Sequence, residues 1–118
     1  MQIQINPGKN VTLHSKLSNF VETELNRTLH RFDPHLTRVE VHLSGESRVK
    51  SAQGKGKRCT LEARPRGLQP LVVTGVASNT QQCVSGAAEK MKRQLEATFG
   101  RLAARRFNAP EPTLSEAL

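Results

Sequence analysis

The sequence predicts an α+β fold of the order β-α-β-β-β-α, in which two helices pack on one face of a four-stranded sheet. Three observations predict it. Two long segments carry apolar residues at three- and four-residue spacing, four shorter segments alternate or are rich in valine, and turn residues separate the segments. Each helix and the sheet has one apolar face to cover. Packing both helices on the same side of the sheet covers all of them.

The first part of the chain predicts a strand and a long helix. Residues 2–6 alternate polar and apolar and run into an Asn-Pro-Gly turn signal. Helical spacing then extends over residues 13–32, with Thr12 or Ser15 available as the N-cap. Asp33-Pro34 should end the helix, because the residue before proline is disfavoured in the helical region.

Three further strands follow. Residues 37–44 and 57–64 alternate cleanly, and the valine-rich residues 71–77 predict the last strand. Residues 45–56 combine glycine, serine, glutamine and cations without periodicity, so we expect a mobile basic loop between two strands. The glycine and lysine run in this loop lacks the spacing of a phosphate-binding P-loop. The short link 65–70 contains two prolines and a glycine and predicts a tight connection.

The final helix is predicted over residues 79–106. We expect it to fray near Arg105, which would turn back onto the buried face. We therefore predict one domain over residues 1–106 and a disordered tail over residues 107–118. The apolar face consists of Val84, Ala87, Ala88, Met91, Leu95, Thr98, Phe99 and Leu102, and a flanking stripe of cations and small residues consists of Gly86, Lys90, Arg93, Ala97 and Arg101.

The composition favours an anionic partner. The 118 residues contain 18 Lys and Arg against 10 Asp and Glu, for a formal charge of +8. This positive charge favours nucleic acid as the partner. No apolar run is long enough to span a bilayer and the start does not resemble a signal peptide, so we expect a cytoplasmic protein without a membrane partner. Cys59 and Cys83 are predicted to be reduced, buried thiols.

Two segments hold most of the positive charge. Residues 48–66 contain seven cations and one carboxylate, and residues 90–106 contain six cations and one carboxylate. Folding could bring both segments onto one edge of the domain, and this remains open at the level of sequence. The residues predicted to contact RNA are Lys90, Arg93, Arg101, Arg105, Lys92, Arg58, Lys57, Lys55, Arg64 and Arg66.

The aromatic content predicts how RNA would be recognised. Only 3% of the residues are aromatic, and Phe20, Phe32 and Phe99 fall on predicted apolar faces. Reading single-stranded bases by stacking needs exposed rings. We therefore predict recognition of the backbone and its shape.

No pattern predicts catalysis. The four histidines lack metal-ligand spacing, and the carboxylates show no pair suited to acid–base chemistry. The sequence predicts a protein that is not an enzyme and that uses no cofactor, metal or small-molecule substrate.

An ordered set of segments resembles the ribosome hibernation promoting factor and ribosome-associated inhibitor family, also called sigma modulation proteins. These segments are MQIQI, LHRF, TRVEVHLS, KRCTLEARP and GAAEKMKRQLEATFGRL, over about residues 1–106. The chain resembles the short form, because it ends before the dimerisation domain of long members. The resemblance implies the fold given above, similar to a double-stranded-RNA-binding domain.

The resemblance also implies a function. Family members bind the decoding region of the small ribosomal subunit, across the path of messenger and transfer RNA, and hold ribosomes inactive under stress or in stationary phase. The family's basic KL and RQ pairs are matched by Lys90-Met91 and Arg93-Gln94. Asn79, Gln81 and Ser85 stand where many members have Asp, Tyr and Asp, which leaves this helix start without acidic groups.

Two alternatives stay open. One is a general double-stranded-RNA-binding protein without ribosome specificity. The other is a regulator of the transcription machinery that acts through protein interaction.

Overall fold

The computed structural model describes residues 1–8, 11–51 and 54–108, with side chains described outside 46–55 and 104–108. The predicted order of elements is confirmed. The elements are β1 (Gln2–Pro7), α1 (Ser15–Leu29), a 3₁₀ helix (His30–His35), β2 (Leu36–Ser51), β3 (Gly54–Pro65), β4 (Leu71–Ala77) and α2 (Thr80–Asn108).

The four strands form one mixed sheet in the order β1-β2-β3-β4. β1 runs parallel to β2, which a crossover through α1 permits, and the other neighbours are antiparallel. In this register Glu40 lies opposite Glu62, and Thr60 lies opposite Thr74. β1 and β4 are therefore the two edge strands.

The core lies between the sheet and the two helices. The alternation in β2 and β3 is confirmed, since Val39, Val41, Cys59 and Leu61 are fully buried. The helices contribute residues at the predicted spacing. These are Leu17, Val21, Leu25 and Leu29 from α1 and Val84, Ala87, Ala88, Met91 and Leu95 from α2.

The prediction of a loop over residues 45–56 is wrong for most of that segment. β2 continues to Ser51 and β3 begins at Gly54, with a register shift between Glu46 and Lys50. An antiparallel ladder is held by backbone hydrogen bonds, so it can extend where side chains no longer alternate. The backbone forms a long hairpin instead of a loop.

The helix ends also differ from the prediction. α1 is capped by neither Thr12 nor Ser15, because the Nδ1 atom of His14 accepts the N–H of Leu17 at 3.2 Å. The chain does not leave the helical region at Asp33, since a 3₁₀ turn carries it through Pro34 to His35.

α2 does not fray at Arg105 but continues to Asn108, two residues before Pro110. The first two residues of the predicted tail are thus helical. Residues 109–118, on which the rest of that prediction falls, lie outside the described residues.

A glycine allows α2 to approach β4 closely. A Cβ atom built on Gly75 would lie 2.7 Å from the carbonyl oxygen of Cys83 and 2.9 Å from the backbone nitrogen of Ala87. Both atoms belong to the helix backbone, so neither can move aside as a side chain would. Gly75 therefore fixes the distance between the sheet and α2.

The prediction that Cys59 and Cys83 are free and buried is confirmed. Burial raises the pKa of the Cys59 thiol to about 12 and that of Cys83 to about 11, from 9.0.

Because only a thiolate reacts readily, neither thiol should react with Ellman's reagent at pH 8 until denaturant is added. Both thiols have a higher pKa in the folded chain than in the unfolded chain, so they stabilise the folded protein fully below pH 9. The free energy of unfolding should therefore fall as the pH rises above 9. Rapid labelling of the folded protein would contradict this prediction.

Candidate nucleic-acid interface

A groove of about 530 Å³ lies between edge strand β4 and one flank of α2. Thr74 contributes from the strand, and the helix contributes Lys90, Arg93, Ala97 and Arg101. These helix residues belong to the stripe predicted from the sequence, and each of them is exposed. Gly86, one turn before Lys90, is also exposed, with no atom within 4 Å of its potential Cβ. Three cations thus share one open concave surface, with the small residue Ala97 between Arg93 and Arg101.

The positive charge of this groove is not neutralised from within the described chain. Among the described residues, no carboxylate oxygen lies within 4.0 Å of the charged groups of Lys90, Arg93 or Arg101. Lys90 is positioned by the sheet, because its Nζ donates to the carbonyl oxygen of Thr74 at 2.7 Å. Unpaired guanidinium groups along an open groove suit a polyanion, since phosphate oxygens accept bidentate hydrogen bonds from arginine.

Lys92 does not belong to this groove. It lies about 200° around α2 from Lys90, on the flank that also carries Glu96. Glu96 forms an ion pair of 3.5 Å with Arg31 of the 3₁₀ helix. The two flanks of α2 therefore differ, one cationic and one with mixed charge.

The cations of β3 are divided among other surfaces. Arg58 and Arg64 lie on the open face of the sheet, opposite the helices, as the alternation of β3 requires. Arg64 is committed to carboxylates, at 3.2 Å from Glu62 and 3.8 Å from Glu40. The structure thus does not bring these two arginines onto the α2 groove.

The remaining predicted site residues lie elsewhere. Lys57 lines a separate cavity near the start of α2, and Arg66 lines a depression beside Phe99. The side chains of Lys55 and Arg105 lie outside the described residues, so the structure does not place their charges. Of the ten predicted residues, the structure brings Lys90, Arg93 and Arg101 together.

One cluster on the open face was missed from the sequence. Glu40, His42 and Glu62 each offer a ligand atom, and these atoms lie within 4.8 Å of one another. The cluster forms because Glu62 lies opposite Glu40 on the neighbouring strand, a pairing that no sequence spacing reveals. Arg38 lies 2.8 Å from Glu40, and Arg64 contacts both glutamates. The negative charges of the two glutamates are therefore balanced by two arginines, and the geometry is that of an ion-pair cluster.

The described aromatic rings serve packing. Phe32 is buried and stacks on Phe99, with ring centroids 5.7 Å apart. Phe20 and Phe99 pack against the core. None of these rings lines the α2 groove, whose lining offers hydrogen-bond donors and aliphatic surface. Within the described part of the chain, no helix has the length and apolar character needed to cross a membrane.

The fold and this groove define a class: a small α+β domain whose last helix presents unpaired cations on one flank. The chain belongs to the family described as Sigma 54 modulation protein / S30EA ribosomal protein, whose model matches residues 3–103. This confirms the family resemblance seen in the sequence. The family consists of ribosome-associated modulation proteins and is not a family of enzymes.

Solved structures share the fold at low sequence identity. The N-terminal domain of Protein Y from Thermus thermophilus is 19% identical with a TM-score of 0.68, and the match covers 83% of this chain and 99% of that one. A ribosomal subunit interface protein from Coxiella burnetii is 14% identical with the same TM-score, over 85% of this chain and 99% of that one. Among curated proteins, none matches this chain.

Proposed function

We propose that this protein binds the small ribosomal subunit through ribosomal RNA and holds the ribosome inactive in the cytoplasm under stress. The observation that carries the proposal is the α2 groove, where Lys90, Arg93 and Arg101 lie together without a neutralising carboxylate among the described residues. Family membership supports a ribosomal partner. The two similar structures are a Protein Y domain and a ribosomal subunit interface protein.

The proposed site on the ribosome is the decoding region. A phosphate-lined channel suits a narrow domain with a cationic helix flank, because close approach gains electrostatic energy without base stacking. Occupying that channel excludes messenger RNA and the anticodon stems of transfer RNA. Inhibition by exclusion needs no chemical step and is reversed by mass action when the displaced ligands are in excess.

Order of addition in a reconstituted translation assay tests this mechanism. Protein added before messenger and initiator transfer RNA should inhibit strongly, whereas protein added to elongating ribosomes should inhibit weakly. Chemical footprinting of small-subunit RNA should show protection in the decoding region. Inhibition that is independent of the order, or protection confined to other regions, would contradict the proposal.

Competition experiments separate the two alternatives. Excess duplex RNA should not release the protein from ribosomes if the decoding region is recognised by its shape. Release by any duplex would favour a general double-stranded-RNA-binding protein. Binding to polymerase with no co-sedimentation with ribosomes would favour a regulator of transcription.

Salt should weaken the binding in proportion to the number of phosphates contacted. With three contacts from the groove, a fourfold increase in salt should weaken ribosome binding by about 20- to 40-fold, because each neutralised phosphate releases counterions. Co-sedimentation over a salt series measures the slope. A flat response would rule out binding led by phosphate contacts.

A further inference from the structure

A second cavity lies apart from the α2 groove and shares no lining residue with it. It measures about 590 Å³ and is bounded by the segment before α1, the first turn of α1, the start of α2 and the first part of β3. Lys57 lies near the start of α2 because it is paired with Ala77 on the neighbouring strand. Ala77 is the last residue of β4, and α2 begins three residues after it. The volume falls within the range of about 300–1,000 Å³ that small organic ligands occupy.

The charge of this cavity is uncompensated. Among the described residues that line it, Lys16 and Lys57 carry positive charge and none is a carboxylate. Neither adjoining helix has an acidic residue in its first turn. Within the described chain, neither lysine has a carboxylate within ion-pairing distance. Two unpaired ammonium groups beside one cavity complement an anion.

The rest of the lining fits a ligand larger than a simple anion. Val11 and Leu17 supply apolar surface, and Asn79 and Gln81 supply amide groups. The Oδ1 atom of Asn79 accepts the N–H of Gln82 at 2.8 Å, which leaves its NH₂ group as a donor. A matching ligand has a flat apolar group for the apolar surface, hydrogen-bond acceptors on its edge for the amide groups, and a phosphate for the two lysines.

We propose that this cavity binds a nucleotide, with Lys16 and Lys57 on its phosphate and the base against Val11 and Leu17. The nucleotide is either free in solution or the 5′-phosphorylated end of an RNA strand, since both present the same chemistry. The proposal does not depend on RNA lying in the α2 groove.

Titration of the ¹⁵N-labelled full chain with adenosine monophosphate tests the proposal. The amide signals of Lys57 and of residues 79–81 should shift and saturate. Adenosine, which lacks the phosphate, should bind at least about tenfold more weakly, because charge-assisted hydrogen bonds are lost. The Lys16→Gln/Lys57→Gln variant should weaken binding of the monophosphate by a similar factor.

The Arg27→Gln/Lys92→Gln variant is the matched control, because it removes two positive charges away from the cavity. Its affinity for the monophosphate should stay within about twofold of the unmodified chain, since distant exposed charges are screened. Equal weakening by both variants, equal binding of adenosine, or identical shifts with inorganic phosphate alone would overturn the proposal. So would the absence of shifts with both the monophosphate and 5′-phosphorylated RNA.

Short RNAs with a 5′-phosphate or a 5′-hydroxyl identify the source. Cavity shifts that appear with the phosphorylated RNA and not with the free monophosphate assign the site to an RNA end. Shifts that appear with the free monophosphate and not with the RNA assign it to a soluble nucleotide. The Arg93→Ala/Arg101→Ala variant should keep nucleotide binding, so failure at the groove and failure at the cavity are distinguishable.

Discussion

Replacing Arg93 and Arg101 together by alanine is expected to lower ribosome affinity by at least about a hundredfold. Both side chains are exposed and line the α2 groove. A hydrogen bond to a charged group contributes about 1.5–3 kcal/mol, and about 1.4 kcal/mol is a factor of ten in affinity. The fold should be unaffected, because exposed substitutions usually change stability by about 0.5 kcal/mol or less. Co-sedimentation at fixed salt measures affinity, and thermal melting checks the fold.

The matched control for this variant is Arg27→Ala/Lys92→Ala, which removes the same net charge outside the groove. Arg27 is paired with Glu24 at 3.0 Å on the exposed surface of α1. If binding depends on groove geometry, the control should lose little affinity. If it depends on net charge alone, both variants should weaken equally, and the groove would then not be the binding site.

Gly75→Ala is expected to destabilise the protein by about 2–3 kcal/mol, within the usual cost of overpacking a core. The new methyl group would lie 2.7 Å from Cys83 O and 2.9 Å from Ala87 N, so α2 would have to move off the sheet. At about 4 °C per kcal/mol, the melting temperature should fall by about 10 °C. Thermal melting followed by circular dichroism measures the change.

Gly86→Ala, a substitution in α2 itself, is expected to have the opposite effect on stability. No atom lies within 4 Å of its potential Cβ, and alanine restricts the unfolded chain more than glycine does. Stability should therefore rise by about 0.4–1 kcal/mol. A Gly75→Ala variant as stable as the parent would show that the helix can shift without cost.

The fold could be predicted from the sequence where one periodic pattern decides one face. The alternation of residues 37–44 and 57–64 and the helical spacing around Met91 predicted the buried sides correctly. The extent of the β2–β3 hairpin could not be predicted, because beyond Gly45 the ladder rests on backbone hydrogen bonds that leave no side-chain pattern. The cap at His14 was missed because histidine is not a usual N-cap residue.

The candidate site could be predicted only where it lies on a single element. Lys90, Arg93 and Arg101 share a flank of one helix, so spacing alone predicts that they lie together. The cluster of Glu40, His42 and Glu62 depends on strand register, and the separation of Arg58 from α2 depends on which face the helices cover. These are properties of the folded arrangement of the whole chain.

The contact between Lys90 and the carbonyl oxygen of Thr74 has a consequence for handling the protein. β4 is an edge strand, and Val72 and Val76, on either side of Thr74, are 59% and 51% exposed. Unpaired edge strands with apolar side chains add strands from other molecules, and a lysine placed on the edge opposes this. Removing the charge of Lys90 would remove a cation from the groove. It would also leave β4 free to pair with the edge strand of another molecule. Variants at Lys90 should therefore show concentration-dependent aggregation, and dilute samples are needed to separate lost affinity from lost solubility.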